Sequence, residues 1–181
     1  MFTVLLDNGH GANTLGKCSP KKDDGSRFRE YKFARELVQC LQIKLTTMGY
    51  NVFIVTPEQT DVSLKERVRR INKVVAQYGA GNCIMISIHV DAAGSNDTWM
   101  TARGWSAYTT RGQNNSDKLA ECLYNAAEER MINDPYIKTS YAGEMNKLLR
   151  KDITDGDKDK EADFYIIKGA NCPAVLTENL F

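Results

Sequence analysis

The sequence predicts an α/β fold: one domain with a twisted, mostly parallel (mixed) sheet of about six strands, flanked by helices on both faces. Three observations predict it. Short apolar, β-rich runs alternate with longer stretches of helical periodicity, an order that gives right-handed βαβ crossovers and a largely parallel sheet. The length of 181 residues suits one domain with a sizeable core. No internal repeat or interdomain linker interrupts the chain, so residues 1–181 read as one domain with no second domain beside it.

The elements follow in order. Thr3-Val4-Leu5-Leu6-Asp7 is a short buried strand broken by Asn8-Gly9. From Tyr31 to Met48, Phe33, Leu37, Leu41 and Leu45 recur every four residues beside Ala34 and Val38, the pattern of an amphipathic helix, with Gly49 placed to end it. Asn51–Thr56 reads as the second strand. Ser63-Leu64-Lys65-Glu66 has the form of a capping box, and Val68, Ile71, Val74, Val75 and Tyr78 supply the apolar face of a helix over Leu64–Tyr78. Cys83–Val90 and Gly104–Thr109 are the next strands. A helix follows Ser116 with Leu119, Cys122, Leu123 and Ala126 on one side. Asp134 to Asp163 is the least regular stretch and ends in a charged loop, "DITDGDKDKEAD". Phe164–Lys168 and Ala174–Thr177 complete the strands.

Composition excludes several classes. Hydrophobic residues make up 42% and charged residues 26%, values of an ordinary globular protein. A net charge of +1 offers no electrostatic case for nucleic acid, and "RVRR" (Arg67 to Arg70) reads as the solvated face of a helix. No run approaches the roughly 20 apolar residues of a membrane span. The N-terminus lacks the basic and apolar regions of a secretory signal, so synthesis in the cytoplasm without a signal peptide is expected. The five cysteines are scattered and form no C-x-x-C pair, which fits a reducing compartment. Cys40, Cys83 and Cys122 fall in apolar patterns and read as small core residues.

Two resemblances to ligand-binding loops fail. Gly9-His10-Gly11 lacks the third glycine of a dinucleotide fingerprint, because position 14 is Thr14. Around Gly156, a calcium loop would need carboxylates where Lys151 and Ala162 stand.

The chain has only two histidines, His10 and His89, and each closes an apolar, β-rich run. Strand ends are where α/β proteins place their chemistry. Each histidine could equally be a hydrogen-bonded loop residue, but two in the same setting suggest a shared site. A catalytic zinc takes three protein ligands and keeps a position open, so a carboxylate would have to be the third. Glu30, at the start of the first helix, is a candidate whose charge the positive helix end favours. Glu178, just after the last strand, could reach the same edge of the sheet and act as general base. Glycines around His10 would allow a sharp turn that aims its ring.

These residues lie in motifs that together resemble the zinc-dependent N-acetylmuramoyl-L-alanine amidases of the amidase-3 type. Members open with a strand and a D-P-G-H-G turn, here "DNGHG". A glutamate follows at the start of the first helix, here Glu30 in "RFREYKFAREL". Then come an L-x-x-R helix segment within "SLKERVRRIN", a strand ending S-I-H-x-(D/N)-A, here "SIHVDA", and P-A-(V/I)-L-x-E, here "PAVLTE". The resemblance spans Leu5 to Leu180. It implies one zinc ion bound by His10, Glu30 and His89, with Glu178 as the catalytic glutamate. It also implies peptidoglycan as the partner, with hydrolysis of the amide between N-acetylmuramic acid and L-alanine and action on the bacterial wall. A zinc peptidase acting on the peptide stem, a non-catalytic wall-binding module and a hydrolase using Cys18 or Cys172 stand as alternatives. The sequence departs from the pattern at Asn8, where the family has proline. It also ends at Phe181, three residues past Glu178, where relatives commonly continue.

Overall fold

The computed structural model describes residues 1–94 and 97–179. Leu180 and Phe181, where the motif resemblance and the chain end, lie outside the described residues. The elements are β1 (Thr3–Asn8), α1 (Glu30–Thr47), β2 (Asn51–Ile54), α2 (Leu64–Tyr78), β3 (Cys83–His89), β4 (Trp105–Thr109), α3 (Asn115–Met131), α4 (Pro135–Ser140), β5 (Lys160–Glu161), α5 (Tyr165–Lys168) and β6 (Ala174–Asn179). They build a six-stranded sheet in the order β2-β1-β3-β6-β4-β5. β1, β2, β3 and β6 run parallel, and β4 is antiparallel to β6. The sheet is therefore mixed and mostly parallel, as the sequence predicts.

Alternation along the strands assigns the two faces. Val4, Leu6 and Ile88 pack with Ala34 and Val38 of α1 on one face. On the same face Val175 and Ala107 meet Ala120 and Tyr124 of α3. Leu5, Met85, Ala174 and Leu176 face the other way, against Ile71 and Val75 of α2 and Ile166 and Ile167 of α5. Fully buried side chains such as Leu5, Leu6 and Met85 each contribute about 1.5–3 kcal/mol relative to exposure.

α2 starts where its cap predicts: Ser63 Oγ accepts from Glu66 N–H at 3.3 Å. The Glu66 carboxylate does not complete the box, because it is taken by Arg69 and Arg70. Gly49 follows α1 at φ +87°, a turn that favours glycine.

Four expectations change. Phe164–Lys168 is not a strand: Lys168 N–H bonds Phe164 O and Gly169 N–H bonds Tyr165 O, forming the turn of α5. Its two buried residues, Ile166 and Ile167, are adjacent, where a half-buried strand would alternate. The sixth strand is instead Lys160–Glu161, inside the stretch read as irregular, which also holds α4. Cys40 and Cys122 are exposed. Each lies two residues, about 200° of helix, past a buried residue (Val38 and Ala120), and so points away from the sheet. Arg67 is not solvated; it is 2% exposed and paired with Asp7 and Asp61.

Candidate metal centre

Parallel strands bring their C-terminal ends to one edge, and this edge collects the predicted residues. β1 and β3 pair through Asn8 and Ile88, so the residues that follow lie side by side. Gly9 N–H bonds Ile88 O at 2.9 Å, which fixes the turn carrying His10 beside the end of β3 carrying His89. The two imidazoles meet edge to face with ring centroids 4.9 Å apart. Glu30, the first residue of α1, enters from the helix side and is 5% exposed. Its Oε1 lies 3.1 Å from His89 Nδ1 and 3.4 Å from His10 Nε2. The same oxygen accepts from Val90 N–H at 3.0 Å. Burial works to raise the Glu30 carboxyl, but the hydrogen bonds from His10, His89 and Val90 outweigh it and hold it well below the usual carboxylate range.

One ligand atom from each of His10, Glu30 and His89 falls within a 4.8 Å cluster. Roughly 3.3 Å separates neighbouring ligand atoms on a tetrahedron with zinc bonds of 2.0–2.1 Å. The distances from Glu30 Oε1 to the two rings bracket that value. Two imidazole nitrogens and a carboxylate oxygen are also the donor chemistry that zinc accepts.

Glu178 stands on the next strand, in register with His89. Its Oε2 is buried without a hydrogen-bond partner. Burial, with the charges of Asp91 and Glu30 adding to it, pushes its carboxyl up to about 7 against the pull of His89. All four residues singled out in the sequence are therefore brought to one edge.

The glycines beside His10 have a different purpose from the one predicted. Neither Gly9 nor Gly11 has positive φ; His10 itself does, at φ +60°. The glycines are there for space. A Cβ on Gly9 would stand 2.4 Å from His89 Cε1, and one on Gly11 would stand 2.0 Å from the backbone nitrogen of Asp61.

Other groups at the site were not singled out. Asn179 Nδ2 donates to His89 O at 2.9 Å and is itself held by Trp105 Nε1 at 3.1 Å. Buried Asp7 accepts from Arg67 Nη1 and from Ser87 Oγ, both at 2.7 Å. The L-x-x-R segment was the available signal for Arg67. Nothing in the sequence marks Asn179 beyond its place after Glu178.

Beside the centre, a groove of about 240 Å³ runs past Glu30 and Val90 between Phe28, Trp99 and Met100. Two irregular segments meet over it: Arg27 grips Asp97 through both guanidinium ends, and Trp99 Nε1 donates to Lys21 O. A larger depression of about 830 Å³ lies at the other end of the sheet, around Cys172 and Asn114. It is lined by none of the four site residues.

Comparison with known proteins agrees with this fold. The model of the family "N-acetylmuramoyl-L-alanine amidase" (Amidase_3) matches residues 4–181. The endolysin of Bacillus phage SPP1 is 25% identical over 182 residues, covering 98% of this chain and 54% of the endolysin, so the chain spans about half the length of that relative. Cwp6 from Clostridium difficile has the same fold, with a TM-score of 0.69 at 21% identity over 99% of this chain and 24% of that one. The catalytic domain of CwlV, an N-acetylmuramoyl-L-alanine amidase from Bacillus (Paenibacillus) polymyxa var. colistinus, gives a TM-score of 0.61 at 21% identity, covering 98% of this chain and 79% of that one. With a family match that leaves only the first three residues outside it, this chain belongs to the N-acetylmuramoyl-L-alanine amidase family.

Proposed function

We propose that residues 1–181 form a zinc-dependent catalytic unit that hydrolyses the amide between the lactyl group of N-acetylmuramic acid and L-alanine in peptidoglycan. His10, Glu30 and His89 are the ligands, and Glu178 is the general base and then the general acid. The family membership supports the reaction class. The observation that carries the mechanism is the unpartnered, buried Glu178 Oε2 beside a cluster in which one ligand atom each of His10, Glu30 and His89 lie within 4.8 Å of one another.

When bound, zinc supplies Lewis acidity, polarising the scissile carbonyl and making water acidic enough to attack near neutral pH. Glu178 takes the proton from the attacking water and hands it to the departing amine. A carboxyl pushed up to about 7 can hold or release a proton near neutrality, as both halves of that role require. Glu30 stays ionised, as a ligand must. The groove past Phe28 and Trp99 provides walls for the substrate beside the metal.

A thiol mechanism through Cys172 is disfavoured by position and by charge. Cys172 is at the far end of the sheet, and burial, together with nearby Cys83, pushes its thiol up to about 12, so no thiolate is at hand. Among the described residues no helix is long and apolar enough to cross a membrane. Action is on the bacterial cell wall.

The test is end-group labelling of a digest of purified wall. New amino-terminal alanine, no rise in reducing sugar ends and loss of the signal under chelation are the expected outcome. Reducing ends that rise in step with lysis would overturn the reading, and a different new amino-terminal residue would replace it with a stem peptidase.

A further inference from the structure

We infer that Arg35 and Arg67 are positioning residues that hold His10 in its ligand geometry by clamping its backbone carbonyl from two helices. The inference rests on the metal-centre reading above and goes beyond it, because neither arginine belongs to the ligand set.

The problem they solve is at His10. A non-glycine residue at φ +60° is uncommon and persists only where its surroundings fix it. That backbone turns the His10 carbonyl away from the sheet ladder and into the protein, where it needs donors. Arg35 Nη1, from α1, donates to His10 O at 3.1 Å. Arg67 Nη2, from α2, donates to the same oxygen at 3.4 Å. A carbonyl oxygen has two lone pairs, and here each faces a guanidinium.

Both arginines are themselves held. Arg67 is 2% exposed; its Nη1 bonds Asp7 Oδ1 at 2.7 Å and Asn8 O at 2.8 Å, its Nη2 bonds Asp61 Oδ1 at 2.8 Å, and its Nε bonds Val62 O at 2.8 Å. One planar fork therefore ties the end of β1, the loop before α2 and the His10 turn together. Lysine, with a single nitrogen, cannot reach all of these at once. Arg35 is 6% exposed and also bonds Glu58 O through Nε and Nη2, at 3.2 and 2.6 Å. The loop at Glu58–Asp61 is thus pinned by both arginines, and it packs so closely on Gly11 that no side chain fits there. His10 is aimed by a frame that reaches it only through its backbone.

The experiment measures zinc affinity of the full chain by chelator competition, with thermal unfolding of each variant as the control for folding. Arg67→Lys and Arg35→Met are each compared with wild type. Groups that orient metal ligands typically change affinity by about 10–100-fold. We expect each arginine variant to weaken zinc by at least about tenfold. The d–d spectrum of the cobalt-loaded protein should shift in the same variants.

A melting temperature that falls while zinc affinity stays near wild type would show a structural role only and overturn the inference. So would a cobalt spectrum that stays unchanged in both variants. If Arg67→Lys does not fold, Arg35→Met decides between these outcomes. A wild-type chain that binds no zinc at all would overturn the metal reading and this inference with it.

Discussion

Two ends of one sheet each bury carboxylates, and they treat them differently. At the metal edge, Glu30 receives a backbone N–H and lies against two imidazoles, and its charge is kept. At the far edge, Asp159 is 2% exposed with Thr109 Oγ1 as its donor at 2.5 Å. Asp157 and Asp117 lie close enough to add their charges, and each of the three leaves one buried oxygen without a partner. Burial, reinforced by those neighbours, pushes Asp159 up to about 7. Glu30 and Asp159 are both buried. The difference lies in the groups beside each carboxyl: donors and imidazoles hold Glu30 ionised, whereas like charges leave a carboxyl that keeps its proton. Glu178 shares features of both, sitting at the metal edge with the raised carboxyl of the far one.

Removing an imidazole should break the comparison most completely. Purified protein should carry about one zinc per chain, and His10→Ala or His89→Ala should lose it together with activity. Full zinc content in both variants by metal analysis would leave the two ends chemically alike. Glu178→Gln should come next. It should retain zinc and lose about 10²–10⁴-fold in turnover. Near wild-type turnover in the loaded variant would mean that the proton is carried by another group.

The far edge makes a smaller, pH-dependent prediction. The native Asp159 carboxyl sits at about 7 against an ordinary value of 3.8, so between those limits the folded state binds more protons than the unfolded one. Stability from this group is therefore greatest in acid and falls as pH rises through that window. Asp159→Asn should melt close to wild type at the acid end and gain on the order of a few °C at the alkaline end. A gain independent of pH would remove the titration argument. The smallest effect is expected from replacing Cys18 and Cys172 together by serine, which should leave most turnover intact. Complete loss in a folded, zinc-loaded variant would revive the thiol.

The sequence showed the metal edge more clearly than the far one, for physical reasons. Strands β1, β3 and β6 are buried, apolar and punctuated by polar residues, and histidine is rare enough that two at strand ends stand out. The bounds of α2 could be read because Ser63 caps it and its apolar face repeats cleanly. Phe164–Lys168 misled because aromatic and β-branched residues favour strands, while tertiary packing of Ile166 and Ile167 against α2 decided for a helical turn. Arg67 misled because a run of basic residues on a helix normally faces water, and its acidic partners Asp7 and Asp61 are far away in sequence. The role of Gly9 and Gly11 could not be read locally, since the atoms that exclude a side chain belong to His89 and Asp61.

The place of β6 has a consequence for how the site comes into being. It is the last of the described elements to be synthesised, yet it lies between β3 and β4 in the interior of the sheet. Until it inserts, the β2-β1-β3 half has no hydrogen-bonded connection to β4 and β5, and Glu178 is absent from the edge where His10 and His89 wait. Closing the sheet and delivering Glu178 are one event. Under the reaction proposed above, a chain in which β6 has not inserted lacks its general base, so one strand completes both the sheet and the site.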